Sequence, residues 1–216
     1  MTLDAASGIW RVRGRAAWKN LYYRYQVDVF VRQAGKLLRN EVTDPYSLGL
    51  STNSRYSQII DLDDPALMPA DWRRMIKPAL AAPEDAVIYE LHVRDFSICD
   101  GSVPAQLRGK YGAFGQPRSN GVKHLRALAK AGLTHVHLLP AFDIATIDED
   151  AAHRKEIRRA VLNRLPPDSD RQAAAIEALA GADGYNWGYD PYHFTVPEGS
   201  YASDPEGAMR TLEFRG

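Results

Sequence analysis

Apolar and polar residues alternate along residues 21–31, near the start of the chain. The residues of one parity are Tyr23, Tyr25, Val27, Val29 and Val31. This alternation predicts a β-strand with one apolar face. Residues 33–36 predict a turn, residues 37–42 predict the returning partner strand, and residues 58–62 predict another short strand. Together these elements predict that residues 1–62 form the later part of a small β-sandwich module.

Prolines interrupt the next stretch, residues 63–86, at positions 65, 69, 78 and 83. Proline lacks a backbone N–H and disfavours helix in the residue before it, so no long regular element is expected here. These residues are therefore predicted to form a linker.

The hydrophobic pattern changes after the linker. Residues 86–93 form a short, mostly apolar run, which predicts a strand that is buried on both faces. Ser119 predicts the cap of a helix, and apolar residues follow it at helical spacing until Gly132. Residues 133–140 predict a second strand, and the order strand, helix, strand predicts that the two strands are parallel neighbours.

A long polar segment, residues 141–184, follows the second strand and predicts helices at 152–165 and 171–180. Functional loops of α/β enzymes extend from the ends of strands in this way. Residues 204–215 predict a last helix with Ala208 and Leu212 facing inward. The fold class is thus α/β plus all-β. Two parallel strands with one crossover expose an unpaired edge and apolar faces, so we expect the isolated chain to be marginally stable or aggregation-prone.

Composition narrows the classes of function. The 216 residues include 27 Lys+Arg and 27 Asp+Glu, and this balance argues against a nucleic-acid partner, which needs a local excess of positive charge. No apolar run reaches the roughly 18 residues of a membrane span. The single cysteine, Cys99, rules out an internal disulfide and is interpreted as an inert thiol. The first residues show no apolar signal core, and localisation, secreted, periplasmic or cytoplasmic, stays open.

The segment 184–194 combines aromatic residues with glycine and polar side chains. A sugar presents apolar C–H faces rimmed by hydroxyl groups, so a carbohydrate subsite needs an aromatic platform with polar neighbours. The segment supplies both with Tyr185, Asn186, Trp187, Tyr189, Asp190 and Tyr192. The alternative is a loop whose aromatic residues are simply buried.

Other side chains have competing interpretations. His135 and His137 share one face of a predicted strand and are interpreted as buried, hydrogen-bonded histidines rather than metal ligands. Arg94 and Asp95, near Glu90 and His92, predict a structural ion pair, with a site as the alternative. Glycoside hydrolysis needs two carboxylates, and the candidates are Asp143, Asp148, Glu149, Asp150, Asp190 and Glu198. Of these, the run 148–150 is interpreted as a solvated face.

The run 185–191, Tyr-Asn-Trp-Gly-Tyr-Asp-Pro, resembles the signature of type I pullulanases and limit dextrinases of the α-amylase superfamily, glycoside hydrolase family 13. Residues 87–97 and 132–140 are similar to the first and second barrel strands of that superfamily. Residues 42–53 resemble the tail of the β-sandwich, carbohydrate-binding module family 48 (CBM48-like), that precedes the barrel. The resemblance implies that residues 87–216 open a (β/α)8 TIM barrel.

The resemblance implies retaining hydrolysis of α-1,6 linkages in pullulan, amylopectin or limit dextrins. It places Tyr189 under the sugar before the cleaved bond, with Asn186, Trp187 and Asp190 shaping the same pocket. Residues 200–202 are expected to support the loop. In the family the catalytic Asp, Glu and Asp follow the fourth, fifth and seventh strands, so no catalytic residue is expected in this chain. It is interpreted as an inactive internal part of a longer enzyme.

Two alternatives stay open. One is an isoamylase or a glycogen branching or debranching relative, and the other is a non-catalytic protein that binds α-glucan. The expected partner is an α-glucan polysaccharide or oligosaccharide. No cofactor or metal is expected in this chain, and a calcium requirement of the longer enzyme stays open. Trp10 and Trp18 are interpreted as core residues of the β-module rather than as a glucan platform.

Overall fold

The computed structural model describes all 216 residues, and its regular elements are short. The strands are β1 (Thr2–Asp4), β2 (Ile9–Arg11), β3 (Tyr22–Tyr23), β4 (Tyr25–Val31), β5 (Lys36–Val42), β6 (Ser57–Gln58), β7 (Ile88–Leu91), β8 (His135–Leu138), β9 (Phe142–Ile144) and β10 (Pro191–Pro197). The helices are α1 (Asn120–Lys130), α2 (Arg159–Leu162), α3 (Arg171–Glu177) and α4 (Met209–Arg215). The strands pair into five two-stranded sheets.

The predicted hairpin is confirmed as β4 and β5, which pair antiparallel from Tyr25 opposite Val42 to Val31 opposite Lys36. The strand predicted at residues 58–62 is reduced to β6, which pairs with β3. None of residues 1–46 is buried. The interpretation of Trp10 and Trp18 as core residues is therefore wrong, since their side chains are 59% and 41% exposed and no second layer covers them.

The predicted strand–helix–strand unit is confirmed. β7 and β8 are parallel, with Ile88 opposite His135 and Leu91 opposite Leu138. The Ser119 hydroxyl caps α1 by accepting the Val122 N–H. The prediction that the first strand is buried on both faces is wrong, because a sheet of two strands with one helix leaves Ile88 61% exposed.

The later elements depart further from the pattern. The helices predicted at 152–165 and 171–180 are limited to α2 and α3, and the helix predicted from residue 204 begins only at Met209. Residues 204–207 form a turn in which the Asp204 carboxylate accepts the Glu206 N–H. On α4 the buried side chains are Arg210 and Thr211, rather than Ala208 and Leu212. The antiparallel pair β9–β10 was not expected from the sequence.

The apolar core is small and lies in the second half of the chain. Its buried cluster consists of Val93, Tyr111, Ile144, Ile147, Tyr201 and Ala202. Beside it lies a buried group of charged residues that β9, β10 and α4 bring together. None of the helices has the length and apolar character needed to cross a bilayer.

Candidate functional site: an aromatic loop beside the parallel strands

The aromatic loop, residues 185–190, lies against the end of β8. Gly188 has a φ of +87°, and a Cβ atom at this position would lie 2.7 Å from the Pro140 carbonyl oxygen. Only glycine tolerates both the left-handed backbone and this close approach. The loop therefore packs tightly on Pro140 while its large rings point outward, with Trp187 59% and Tyr189 68% exposed.

Hydrogen bonds from Asn186 fix the shape of the loop. Its Oδ1 accepts the Gly188 N–H at 2.7 Å, and its Nδ2 donates to Thr146 Oγ1 at 2.8 Å and to Asp190 Oδ2 at 3.3 Å. The Thr146 hydroxyl also donates to Asp190 Oδ2. The other carboxylate oxygen, Asp190 Oδ1, is enclosed and has no hydrogen-bond partner in the protein. Asn186 and Asp190 thus hold the turn that presents Tyr189.

His92 supports the aromatic loop through a hydrogen bond to the loop backbone. This buried ring accepts the Asp95 N–H at Nδ1 (3.3 Å), so the neutral imidazole carries its proton on Nε2 and donates it to the Asn186 carbonyl at 2.7 Å. The His92 ring also lies 5.4 Å from the Tyr185 ring and 5.9 Å from the Tyr201 ring, centroid to centroid. The contact of Tyr201 with His92 agrees with the expected support from residues 200–202.

Tyr189 borders an open cleft of about 520 Å³. Aromatic rings line its wall, with Phe142 and Phe194 packed at 5.1 Å between centroids and Phe214 nearby. His137 lies at the same cleft. Exposed aromatic faces next to polar side chains suit the C–H faces and hydroxyl rim of a sugar. The alternative of a loop with buried aromatic residues is wrong for Trp187, Tyr189 and Tyr192, each of which is more than half exposed.

The residues around the first parallel strand form ion pairs. Arg94 donates to Asp95 at 3.1 Å and to Glu156 at 3.0 Å, which confirms the predicted structural pair. Glu90 lies 3.4 Å from His137 Nδ1 on the exposed face of the sheet.

The interpretation of His135 and His137 as buried residues is wrong. Both are exposed, because nothing packs on that face of β8. His135 contacts the Thr134 hydroxyl and His137 contacts Glu90, and neither belongs to a group of potential metal ligands.

Asp143, Glu149 and Glu198 form a buried cluster whose ligand atoms all lie within 4.8 Å of one another. Such a group could hold a cation, but the Arg210 guanidinium already occupies this role. Arg210 binds both oxygens of Glu149 at 2.8 and 2.9 Å and lies 3.6 Å from Asp143. Glu198 accepts the backbone N–H groups of Ile144 and Ser200. The donors are protein groups, so the cluster is a structural ion network.

One sequence interpretation changes here, and one residue that the sequence did not indicate is added. Glu149 was expected on a solvated face, whereas it is 3% exposed because Arg210 on α4 reaches it. Arg210 itself had no sequence signal, since a single arginine on a predicted helix is typical of an exposed residue. Asp148 and Asp150 do lie in a more open loop, where Asp148 contacts Asn53 and His153.

His193 links Asp143 to Thr43, with Nδ1 2.7 Å from Asp143 Oδ2 and Nε2 2.8 Å from Thr43 Oγ1. This carboxylate–imidazole–hydroxyl order is that of hydrolase triads. His193 is only 2% exposed, however, so no substrate reaches the imidazole. The arrangement instead joins Thr43, at the end of β5, to β9 and β10.

Several known proteins are similar in sequence to this chain. No protein-family model matches the chain. Over its whole length, the chain is 42% identical to a pullulanase of Klebsiella pneumoniae, and over 99% of its length it is 44% identical to the chloroplastic pullulanase 1 of Arabidopsis thaliana. The chain is homologous to type I pullulanases. It spans 23% and 22% of the lengths of these two relatives.

A solved structure of the Klebsiella pneumoniae pullulanase complexed with maltotriose superimposes on the whole chain with a TM-score of 0.93 and 41% identity, covering 24% of that structure. An isoamylase of Pseudomonas amyloderamosa is 30% identical over 82% of the chain. The sequence identity to these two pullulanases is thus higher, and extends over more of the chain, than the identity to this isoamylase. The aromatic loop lies within the aligned region, and the role of each loop residue stays a prediction.

Proposed function

We propose that this chain is part of a starch-debranching enzyme of the pullulanase type, which hydrolyses α-1,6-glucosidic linkages in pullulan, amylopectin or limit dextrins with retention. The whole-length homology to pullulanases carries this proposal. The exposed aromatic loop, whose backbone is held by Asn186 and His92, supports it, because a rigid aromatic face loses little conformational entropy when a sugar stacks on it.

The proposed architecture has three parts. Residues 1–62 are the later part of a CBM48-like β-sandwich module, residues 63–86 form a linker, and residues 87–216 open a (β/α)8 barrel. The parallel pairing of β7 and β8 supports the barrel assignment, as do the exposed apolar side chains of this sheet, Val87, Ile88 and Val136. Such side chains are typical of strands that further strands and helices cover.

Within this enzyme, Tyr189 is the stacking platform for the glucose unit before the cleaved bond, and Asn186, Trp187 and Asp190 shape its surroundings. The reacting carboxylates belong to segments outside these 216 residues. Asp143, Glu149 and Glu198 are unsuited to that role, because Arg210 and backbone donors engage them away from solvent. The chain alone is therefore expected to bind α-glucan without hydrolysing it.

The test is maltotriose binding to the 216-residue chain, measured by isothermal titration calorimetry. Tyr189→Ala should weaken binding about tenfold or more, which corresponds to roughly 1.4 kcal/mol. Tyr46→Ala is the matched control, since Tyr46 is 79% exposed and lies outside the loop. Equal affinities of Y189A and the unsubstituted chain would remove Tyr189 from the proposal. An absence of maltotriose binding to a chain that shows a cooperative thermal unfolding transition would contradict the platform as a whole.

A further inference from the structure

A cavity of about 210 Å³ lies beside the start of the aromatic loop and is lined by polar residues. Four of its lining side chains are cationic, namely Arg94, Arg108, Lys110 and Arg154, and the only acidic one is Glu156. The cavity is large enough for a small anion with its waters, since one water occupies about 30 Å³ of liquid.

Two of the four cations already have partners that account for their positions. Arg94 is paired with Glu156 and with Asp95. Arg108 donates to the carbonyl oxygens of Val103 and Gly101, so its charge is hydrogen-bonded but not neutralised.

The other two cations, Lys110 and Arg154, have fewer hydrogen-bond and ion-pair partners. Lys110 donates one hydrogen bond, to the Ala202 carbonyl at 2.5 Å, and forms no ion pair. Arg154 forms neither a hydrogen bond nor an ion pair with the protein. Burial lowers the pKa of Lys110, and the positive charge of Arg154 lowers it further, against the smaller opposing effects of the Glu213 and Asp204 carboxylates. The cavity is therefore lined by positively charged side chains that are partly removed from water.

Ser200 adds an independent observation. This residue also lines the cavity and is 4% exposed, and its buried hydroxyl lies close to the Glu198 carboxylate without making a hydrogen bond of good geometry. Buried hydroxyl groups in native proteins are nearly always paired, so this hydroxyl is available to an acceptor placed in the cavity.

We propose that this cavity binds a phosphate group. A phosphate carries three terminal oxygens that accept hydrogen bonds from several directions, which suits the lysine ammonium, the arginine fork and a serine hydroxyl arranged around one space. The bound anion would neutralise Lys110 and Arg154 and would accept the Ser200 hydroxyl. The Glu156 carboxylate stays engaged by Arg94, so the site keeps a net positive charge.

The phosphate has two possible sources, inorganic phosphate or a phosphate monoester on a sugar. The cavity adjoins Gly184, directly before the aromatic loop, so a sugar ester could place its ring toward that loop. The site nevertheless stands apart from the Tyr189 platform, because its cations reach the aromatic loop only at Tyr185, where the Arg94 guanidinium lies 5.9 Å from the ring centroid.

The experiment is calorimetric titration of the full chain with inorganic phosphate and, separately, with glucose 6-phosphate, at low ionic strength. Arg154→Gln and Ser200→Ala are the informative variants, since neither side chain has a hydrogen-bond partner whose loss would destabilise the fold. Arg154→Gln should weaken phosphate binding about ten- to hundredfold, as expected for a charge-assisted hydrogen bond. Ser200→Ala should weaken it severalfold. Lys123→Gln, on the exposed face of α1, is the matched control and should leave the affinity unchanged.

Binding of either ligand that Arg154→Gln and Ser200→Ala weaken and Lys123→Gln does not would support the site. The ligand with the higher affinity then identifies the source. Phosphate binding that is absent, or that Lys123→Gln weakens as much as Arg154→Gln does, would overturn the proposal, because only unspecific charge attraction would remain. Maltotriose titration of Arg154→Gln should match the unsubstituted chain, which separates this result from the fate of the Tyr189 platform.

Discussion

The β4–β5 hairpin and the cluster around Arg210 use their side chains in opposite ways. The hairpin has the clearest apolar alternation of the chain, yet Val29, Phe30 and Leu37 on it are 43%, 61% and 67% exposed. The cluster is made of charged residues, yet Asp143, Glu149 and Arg210 are at most 3% exposed. An apolar pattern therefore identifies a strand but does not show whether another layer covers it.

The comparison also shows what holds the two halves of the chain together. Residues 43–54 are joined to the second half by Thr43 on His193, Ser54 on Asp143 and the Asn53 N–H on Glu149. These contacts are polar and either buried or partly buried, whereas the hairpin contributes no buried apolar side chain. The resistance of the chain to unfolding should accordingly depend far more on the cluster than on the hairpin.

The largest expected effect follows from Arg210→Met. The substitution leaves the Glu149 and Asp143 carboxylates buried without their cation, which typically costs about 3–5 kcal/mol of unfolding free energy. Chemical denaturation measures the change. Arg39→Met is the matched control in the hairpin, where Arg39 forms a solvent-exposed ion pair with Asp28 at 2.8 Å. It should have no measurable effect, and similar losses in the two variants would contradict the contrast between the regions.

A second, smaller effect is a pH dependence that comes from Glu198. Burial raises its pKa from 4.5 to about 7, with the nearby Glu149 charge adding to the shift. Between these values the folded chain holds a proton that the unfolded chain has lost. The contribution of Glu198 to stability is therefore full below about pH 4.5 and decreases as pH rises to about 7, by up to about 3 kcal/mol.

Glu198→Gln tests this contribution, because glutamine does not titrate. Melting temperatures from pH 5 to 8 should fall less steeply for the variant than for the unsubstituted chain. The exposed Glu177→Gln is the control and should keep the original slope. Parallel profiles for Glu198→Gln and the unsubstituted chain would contradict a proton on Glu198 in the folded state.

The sequence allowed the local elements to be predicted better than their surroundings. The hairpin, the Ser119 cap and the parallel pair depend on neighbouring residues and on chain order, and all three are confirmed. The burial of β7, His135, Glu149 and Arg210 depends on what packs against them, and the sequence interpretations of these residues were wrong or missing. The exposure of Tyr189 agreed with the platform interpretation, and the contact of Tyr201 agreed with the expected support, but the hydrogen bond of His92 to the loop did not follow from the motif. The hydrogen bond from His92 to Asn186 joins residues 94 positions apart.

The smallest expected effect concerns the hydrogen bond from His92 to Asn186. It is a single neutral hydrogen bond, whereas Arg210 makes several charged hydrogen bonds in its network. His92→Phe keeps a ring between Tyr185 and Tyr201 but leaves the Asn186 carbonyl without its donor, at a cost of about 1 kcal/mol. Hydrogen exchange at the Gly188 N–H should then be about fivefold faster. His92→Gln retains an N–H donor and should exchange more slowly than His92→Phe. If the two variants exchange equally fast, ring packing rather than the hydrogen bond holds the loop that presents Tyr189.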